Sequence, residues 1–192
     1  MQARDYDAIA SLVNDRGSAL ATSPDAGKNT GKTAFFDPKN ASEPQETSDA
    51  TLRIVADALW EALQNKGVSW VGFYRNHPGA PRNQAMTLGP SRNTPACSPI
   101  GLHGVCGQAL MSRSIRIIHD VADLGDAYVA CDPRDKSEIV LPCQAGASNP
   151  DAPCWGVLDL DSHEVGAFDD SDAQGLIKVL SAAGIGVCQS TA

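Results

Sequence analysis

The run AYVACDPRDKSEIVLP, Ala127 to Pro142, sets Cys131 against Asp132 and seven residues ahead of Glu138. Carboxylates beside a thiol oppose its ionisation, and the thiolate is the reactive form. Cys131 is therefore either an inert small residue at a strand edge or a nucleophile whose chemistry uses acids nearby. A second run, WGVLDLDS, alternates with period two, so Val157, Asp159 and Asp161 share one face of a strand and Leu158 and Leu160 the other. The leucines belong to a core, and the two aspartates lie roughly 7 Å apart on the opposite face. Alone, such a pair is an ordinary solvated face or, with further carboxylates or phosphates, a Mg²⁺ site. If Glu138 converges with them, mutual repulsion raises at least one pKa and the group titrates as a unit. A carboxyl kept protonated serves as a general acid, and its neighbours hold an ammonium group. A thiol adjoining such a cluster suits attack on a centre that must also receive a proton.

Cys97 and Cys106 lie in PACSPIGLHGVCGQAL, rich in Gly and Pro. Such a loop can move, as a resolving thiol must to reach a mixed or sulfenic intermediate. Cys143, Cys154 and Cys188 lie beside hairpin or helix residues and read as packing, since free cysteine is among the most buried residue types. His103, alone in the cysteine loop, reads as structural. No two of the six cysteines have the short spacing of a zinc site. The start MQARDYDAIASLVNDRG has charges on both sides of a short apolar stripe, unlike an export signal. The expected location is the cytoplasm, where thiols are catalytic, redox-sensing or buried.

These residues need elements to place them. Tyr6, Ile9, Leu12 and Val13 fall near one face of a helix over about residues 3–15, with Gly17 as its stop. The polar stretch that follows, to about residue 47, cannot bury much apolar surface and reads as a long loop or a partly disordered segment. Its GKNTGKT lacks both a preceding strand and the phosphate-loop spacing. Ser48 caps a second helix with Leu52, Val55, Ala56, Leu59, Trp60 and Leu63 along one stripe, ending near Gly67. Short strands follow at Trp70–Arg75, Ala85–Leu88, Ile115–Ile118, Glu138–Pro142 and Trp155–Asp161. GVCGQALMSRS forms a short helix among them, and a last helix covers Ser171–Ile185. Helices at both ends of a mainly antiparallel sheet make an α+β architecture.

At 192 residues the chain suits one domain. A net charge of −8 argues against a nucleic-acid backbone or an anionic membrane as partner. No apolar run approaches the roughly 18 residues of a membrane-spanning helix.

SWVGFY, LGP, PAC, GVCGQA, ACDPRDKSEIVLP, WGVLDLDS and FDDSDAQGL occur in the order found in the GAF-domain free methionine-(R)-sulfoxide reductases, which the chain resembles over about residues 48–185. The resemblance implies a GAF catalytic domain over residues 48–188, preceded over 1–47 by the first helix and the polar segment. It implies an oxidoreductase that reduces free methionine-(R)-sulfoxide to methionine, with thioredoxin as reductant, no metal or organic cofactor, and a homodimer. By position, Cys131 matches the catalytic cysteine, Cys97 the resolving cysteine and Cys106 the third. Glu138, Asp159 and Asp161 match the acids that bind and activate the substrate. Trp70 and Tyr74 match aromatics around its methyl and thioether end. A non-catalytic GAF sensor and a thiol redox switch are the rival readings; neither uses both the acids and the three cysteines.

Overall fold

A computed structural model of the chain describes residues 3–22, 47–128, 130–146 and 152–188. Helix α1 spans Tyr6–Thr22 and α2 Asp49–Leu63. The segment called a loop falls largely on residues 23–46, outside the described ones. Strands β1 (Trp70–Asn76) and β2 (Met86–Arg92) precede helix α3 (Val105–Ser112). Then come β3 (Arg116–Ile118), β4 (Ser137–Ala145), β5 (Cys154–Ser162), α4 (Asp170–Ala182) and β6 (Ile185–Val187). The strands form an antiparallel sheet in the order β2-β1-β5-β4-β3, with β6 also on β4. The α+β architecture is as the sequence predicts.

Alternation divides the sheet into two environments. Val71, Phe73, Ile139, Leu141, Leu158 and Leu160 point to the face covered by α1, α2 and α4, and all are fully buried. The apolar stripe of α2 lies on this face, and Ser48 Oγ accepts from Thr51 N–H at its start. Trp70, Tyr74, Val140 and Val157 point the other way, into a smaller core with α3. That second face carries the acids.

Several boundaries differ from expectation, β4 among them, which runs three residues past Pro142. Helix α1 continues past Gly17, around which no neighbour lies within 4 Å of a would-be Cβ, so the glycine costs about 1 kcal/mol without ending the helix. Strand β2 runs on through Gly89 and Pro90 because Ser91 and Arg92 find partners in Gly72 and Val71 beyond a bulge. The last helix stops at Ala182. Gly184 turns the chain with a φ of 73°, and Ile185–Val187 returns as a strand too short for a periodic signal. Pro142 lies mid-strand in β4, between the stretches paired to β3 and β6. Cys188 N–H donates to its carbonyl from that side, so its missing N–H faces the same gap.

Cys154 and Cys188, read from sequence as packing, form a disulfide with Cα atoms 6.3 Å apart. The sheet brings them together: β6 continues into Cys188 beside β4, and Cys154 opens β5 on the other side of β4. Cys143 is buried, as expected.

Helix α1 is tied in by charge as well as by Tyr6, Ile9 and Val13 in the main core. Arg4 Nη1 lies 2.9 Å from Asp172 Oδ1, and its two Nη atoms donate to the carbonyls of Ala167 and Lys66. Tyr6 O–H donates to Asp172 at 2.7 Å, while the other Asp172 oxygen accepts from Asp169 N–H in a capping box that starts α4. Both charged side chains are buried. Arg4→Met leaves the Asp172 carboxylate buried without its cation, and stability in urea denaturation should fall by about 3–5 kcal/mol. A change below about 1 kcal/mol would show that α1 is held by its apolar face alone.

Candidate active site

The strand register assembles the floor of a cavity. Asp161 stands opposite Glu138 on β4 and Trp70 on β1, and Asp159 stands opposite Val140 and Gly72. Glu138 and Asp159 are buried, Asp161 half-buried. Gly72 is required here: a Cβ would fall on the Trp70 indole and on Ser91, so only glycine lets the ring lie along the strand beside Asp159. Trp70 and Tyr74 stack obliquely, ring centres 6.0 Å apart, as an apolar wall.

Helix α3 closes the floor. A Cβ at Gly107 would fall on the Leu102 backbone, so the glycine lets the preceding loop lie flush against the first turn. Cys106, one residue earlier, reaches down to the acids. Its Sγ is 3.2 Å from Asp159 Oδ2 and 4.0 Å from Glu138 Oε1.

The mouth is made of loops. Cys97 and Cys131 are joined in a disulfide, Cα atoms 5.4 Å apart, and both are half-buried. Tyr74 O–H donates to the Cys97 carbonyl at 3.0 Å and so links the wall to the mouth. After Cys131 the chain turns on Asp132, whose carboxylate accepts from Arg134 N–H and from the Arg134 guanidinium. That ion pair holds the Asp132 carboxyl well below the usual range. Asp135 accepts from Ser69 O–H, and His163 approaches both aspartates at 3.5 Å.

All eight residues singled out from sequence, Trp70, Tyr74, Cys97, Cys106, Cys131, Glu138, Asp159 and Asp161, line this one cavity of about 280 Å³. Tyr128, Asp135 and His103 line it too. Asp135 hides in the charged turn DPRDK, and only its placement three residues before Glu138, at the strand entry, hints at it. His103 was set aside as structural, yet it borders the opening.

The electrostatics follow from burial. Desolvation drives the Asp159 carboxyl up to about 7, with the Cys106 hydrogen bond pulling against it. Burial and then neighbouring carboxylates drive Glu138 and Asp161 well above the ordinary range. Burial and the same acids raise the Cys106 thiol. A floor of this kind retains protons when empty and ionises when a cation enters. Cys106 is thus held as a thiol, while Cys131 is joined to Cys97 and half-buried.

No family model matches the chain. It is 37% identical over 145 residues to the free methionine-R-sulfoxide reductase of Escherichia coli, covering 74% of this chain and 79% of that one. The enzyme of the same name from Saccharomyces cerevisiae is 34% identical over 131 residues, covering 67% and 69%. Among solved structures, the free methionine-R-sulfoxide reductase of Neisseria meningitidis in complex with its substrate superposes with a TM-score of 0.65 at 28% identity, over 96% of this chain and 91% of that chain. The reduced form of the Staphylococcus aureus protein fRMsr gives 0.65 at 26%, over 95% of each. The fold is that of a GAF domain.

The raised Asp159 pKa has a consequence for stability. Its folded value of about 7 lies above its ordinary 3.8, so the folded state binds the extra proton between them. This contribution is whole below about pH 4 and is lost as pH rises toward 7, by up to roughly 4 kcal/mol at about 1.4 kcal/mol per unit. Asp159→Asn should flatten the fall in thermal midpoint between pH 4 and 8 relative to wild type. Parallel pH profiles would mean that Asp159 is ionised in the folded protein throughout.

Proposed function

The chain belongs to the family of free methionine-R-sulfoxide reductases, and we propose that it reduces free L-methionine-(R)-sulfoxide with electrons from thioredoxin. The observation that carries this reading is the Cys97–Cys131 bond across the mouth of a cavity floored by three carboxyl groups. Glu138, Asp159 and Asp161 take the substrate's ammonium, and Trp70 and Tyr74 pack its methyl and thioether end. Cys131, as thiolate, attacks the sulfoxide sulfur, and a protonated floor carboxyl gives its proton to the sulfoxide oxygen. The oxygen passes to Cys131 as sulfenic acid, and methionine departs: one sulfur is oxidised as the other is reduced. Cys97 then attacks Cys131, water leaves, and the disulfide forms. A thioredoxin dithiol reduces it, leaving two thiols on the enzyme and a disulfide on thioredoxin.

Cys97 is assigned as the resolving thiol because it is the partner of Cys131 in the disulfide. Cys106 is held to Asp159 and stays protonated, in reserve. Arg134 is committed to Asp132, so the Cys131 thiolate draws on backbone N–H groups or on Lys136 instead.

NADPH oxidation coupled through thioredoxin reductase and thioredoxin tests the activity. Cys131→Ser should bring turnover to background, since a hydroxyl is a far weaker nucleophile near neutral pH. Cys97→Ser should release about one methionine per enzyme and leave a dimedone-reactive sulfenic acid. Stoichiometric methionine from Cys131→Ser would overturn the assignment of the nucleophile.

A floor that reads an ammonium should refuse an amide. Sites built around one polar group reject analogues lacking it by as much as about 10⁴-fold. The N-acetylated R-sulfoxide should therefore show a far lower kcat/KM than the free amino acid, and Asp161→Asn should narrow the gap. Equal kcat/KM values for the two substrates would end the free-amino-acid reading.

A further inference from the structure

On the floor a thiol that the cycle holds in reserve meets two of the carboxyl groups given to the substrate. Cys106 Sγ and one oxygen each of Glu138 and Asp159 lie within 4.8 Å of one another, and all three residues are buried. The sulfur stands 3.2 Å from the Asp159 oxygen and 4.0 Å from the Glu138 oxygen. A tetrahedral zinc ion, with Zn–S near 2.3 Å and Zn–O near 2.1 Å, sets sulfur and oxygen about 3.6 Å apart, between the two observed separations. Asp159 Oδ1 is buried and receives no N–H, hydroxyl or thiol donor, on a residue only 5% exposed whose carboxyl meets that of Glu138. The donors come from α3, β4 and β5, so the absence of short cysteine spacing in the sequence does not bear on this site. Among the described residues the other cluster of this kind, Asp132, Asp135 and His163, is already engaged by Arg134 and Ser69.

We propose that Cys106, Glu138 and Asp159 form a binding site for a thiophilic divalent cation, Zn²⁺ foremost. Three protein donors leave a fourth position open toward the cavity, as in sites where zinc holds an exchangeable ligand. The thiolate selects against Mg²⁺ and Ca²⁺, which take oxygen donors in larger number. As the bonds to zinc form, the Cys106 thiol proton and the protons held by Glu138 and Asp159 pass to solvent, and no electron moves. The ion fills the place given above to the substrate's ammonium. Resting on that reading, Zn²⁺ is a competitive inhibitor.

The test uses the disulfide form of the full chain, in which Cys106 and Cys143 are the free thiols, with Co²⁺ as the probe. A thiolate-to-cobalt band in the near ultraviolet, saturating at one ion per chain and erased by Zn²⁺, is expected. Cys143→Ser should keep the band and Cys106→Ser should lose it. Zn²⁺ affinity should fall in Cys106→Ser by more than the roughly 10- to 100-fold that outer-shell partners are worth. Glu138→Gln, checked for folding by circular dichroism, provides a second variant and should also weaken binding. The site is overturned if no thiolate band forms, if the band survives in Cys106→Ser, or if both variants bind Zn²⁺ like wild type. Zn²⁺ should also raise KM for the free sulfoxide without lowering kcat. Binding at Cys106 with KM unchanged would uphold the metal site and overturn the placement of the ammonium.

Discussion

Three carboxyl groups crowded on one face of a sheet are the constraint around which this molecule is arranged. Taken from water, each is driven toward its neutral form, and each ionised neighbour makes the next ionisation harder. Such a face costs free energy, and the opposite face supplies the offset. Its aliphatic and aromatic side chains from β1, β4 and β5 are fully buried against three helices, at roughly 1.5–3 kcal/mol for each large side chain. The two faces cannot be separated. A register slip of one residue in β5 would turn Leu158 and Leu160 into the cavity and drive Asp159 and Asp161 into the main core. The pattern that secures the fold therefore also aims the acids.

Rigidity is distributed accordingly. The acids stand on β4 and β5, two central strands each paired on both edges, where backbone position is least free. Cys97 and Cys131 stand on loops at the mouth, and in the proposed cycle Cys131 meets first the substrate and then Cys97. The hydrogen bond from Tyr74 to the Cys97 carbonyl is a thread between the two regimes, running from an apolar wall residue to the loop that carries Cys97. Asp132, clamped by Arg134, steadies the turn that carries Cys131 into β4.

Much of this was legible because period-two alternation and helical stripes are local signals. The alternation of WGVLDLDS told which side chains share a face, and the stripe of α2 told which would be buried. The convergence of Glu138 with the aspartates was a conditional reading of the residues, and the register Glu138 to Asp161 made it physical. The missed features are those that only the assembled sheet creates. β6 is three residues long and owes its existence to a vacant edge of β4. Cys154 and Cys188 are brought together by strand order, for which a separation of 34 residues carries no signal. Asp135 looked like one charge among several in DPRDK, and its burial depends on Ser69 from a distant turn.

The thiol set among acids, which the sequence raised at Cys131, turns out to describe Cys106. Adjacency in sequence misleads here because Asp132 points into its own turn toward Arg134 and Glu138 points along the sheet toward β5. The sulfur that meets the carboxyl groups comes from α3, 32 residues upstream of Glu138. Two cysteines lining one cavity thus differ in character. The buried one, facing carboxyl groups, keeps its proton and acts as a hydrogen-bond donor or a ligand. Cys131 is half-buried and joined to Cys97, and a disulfide that solvent reaches is open to exchange with an outside thiol. Moving the nucleophile onto the floor would cost it its ionisation, and moving the acids to the mouth would cost them their protons. The proposed chemistry asks for both properties at once, and α3 with the loop ahead of it closes the cavity over the acids.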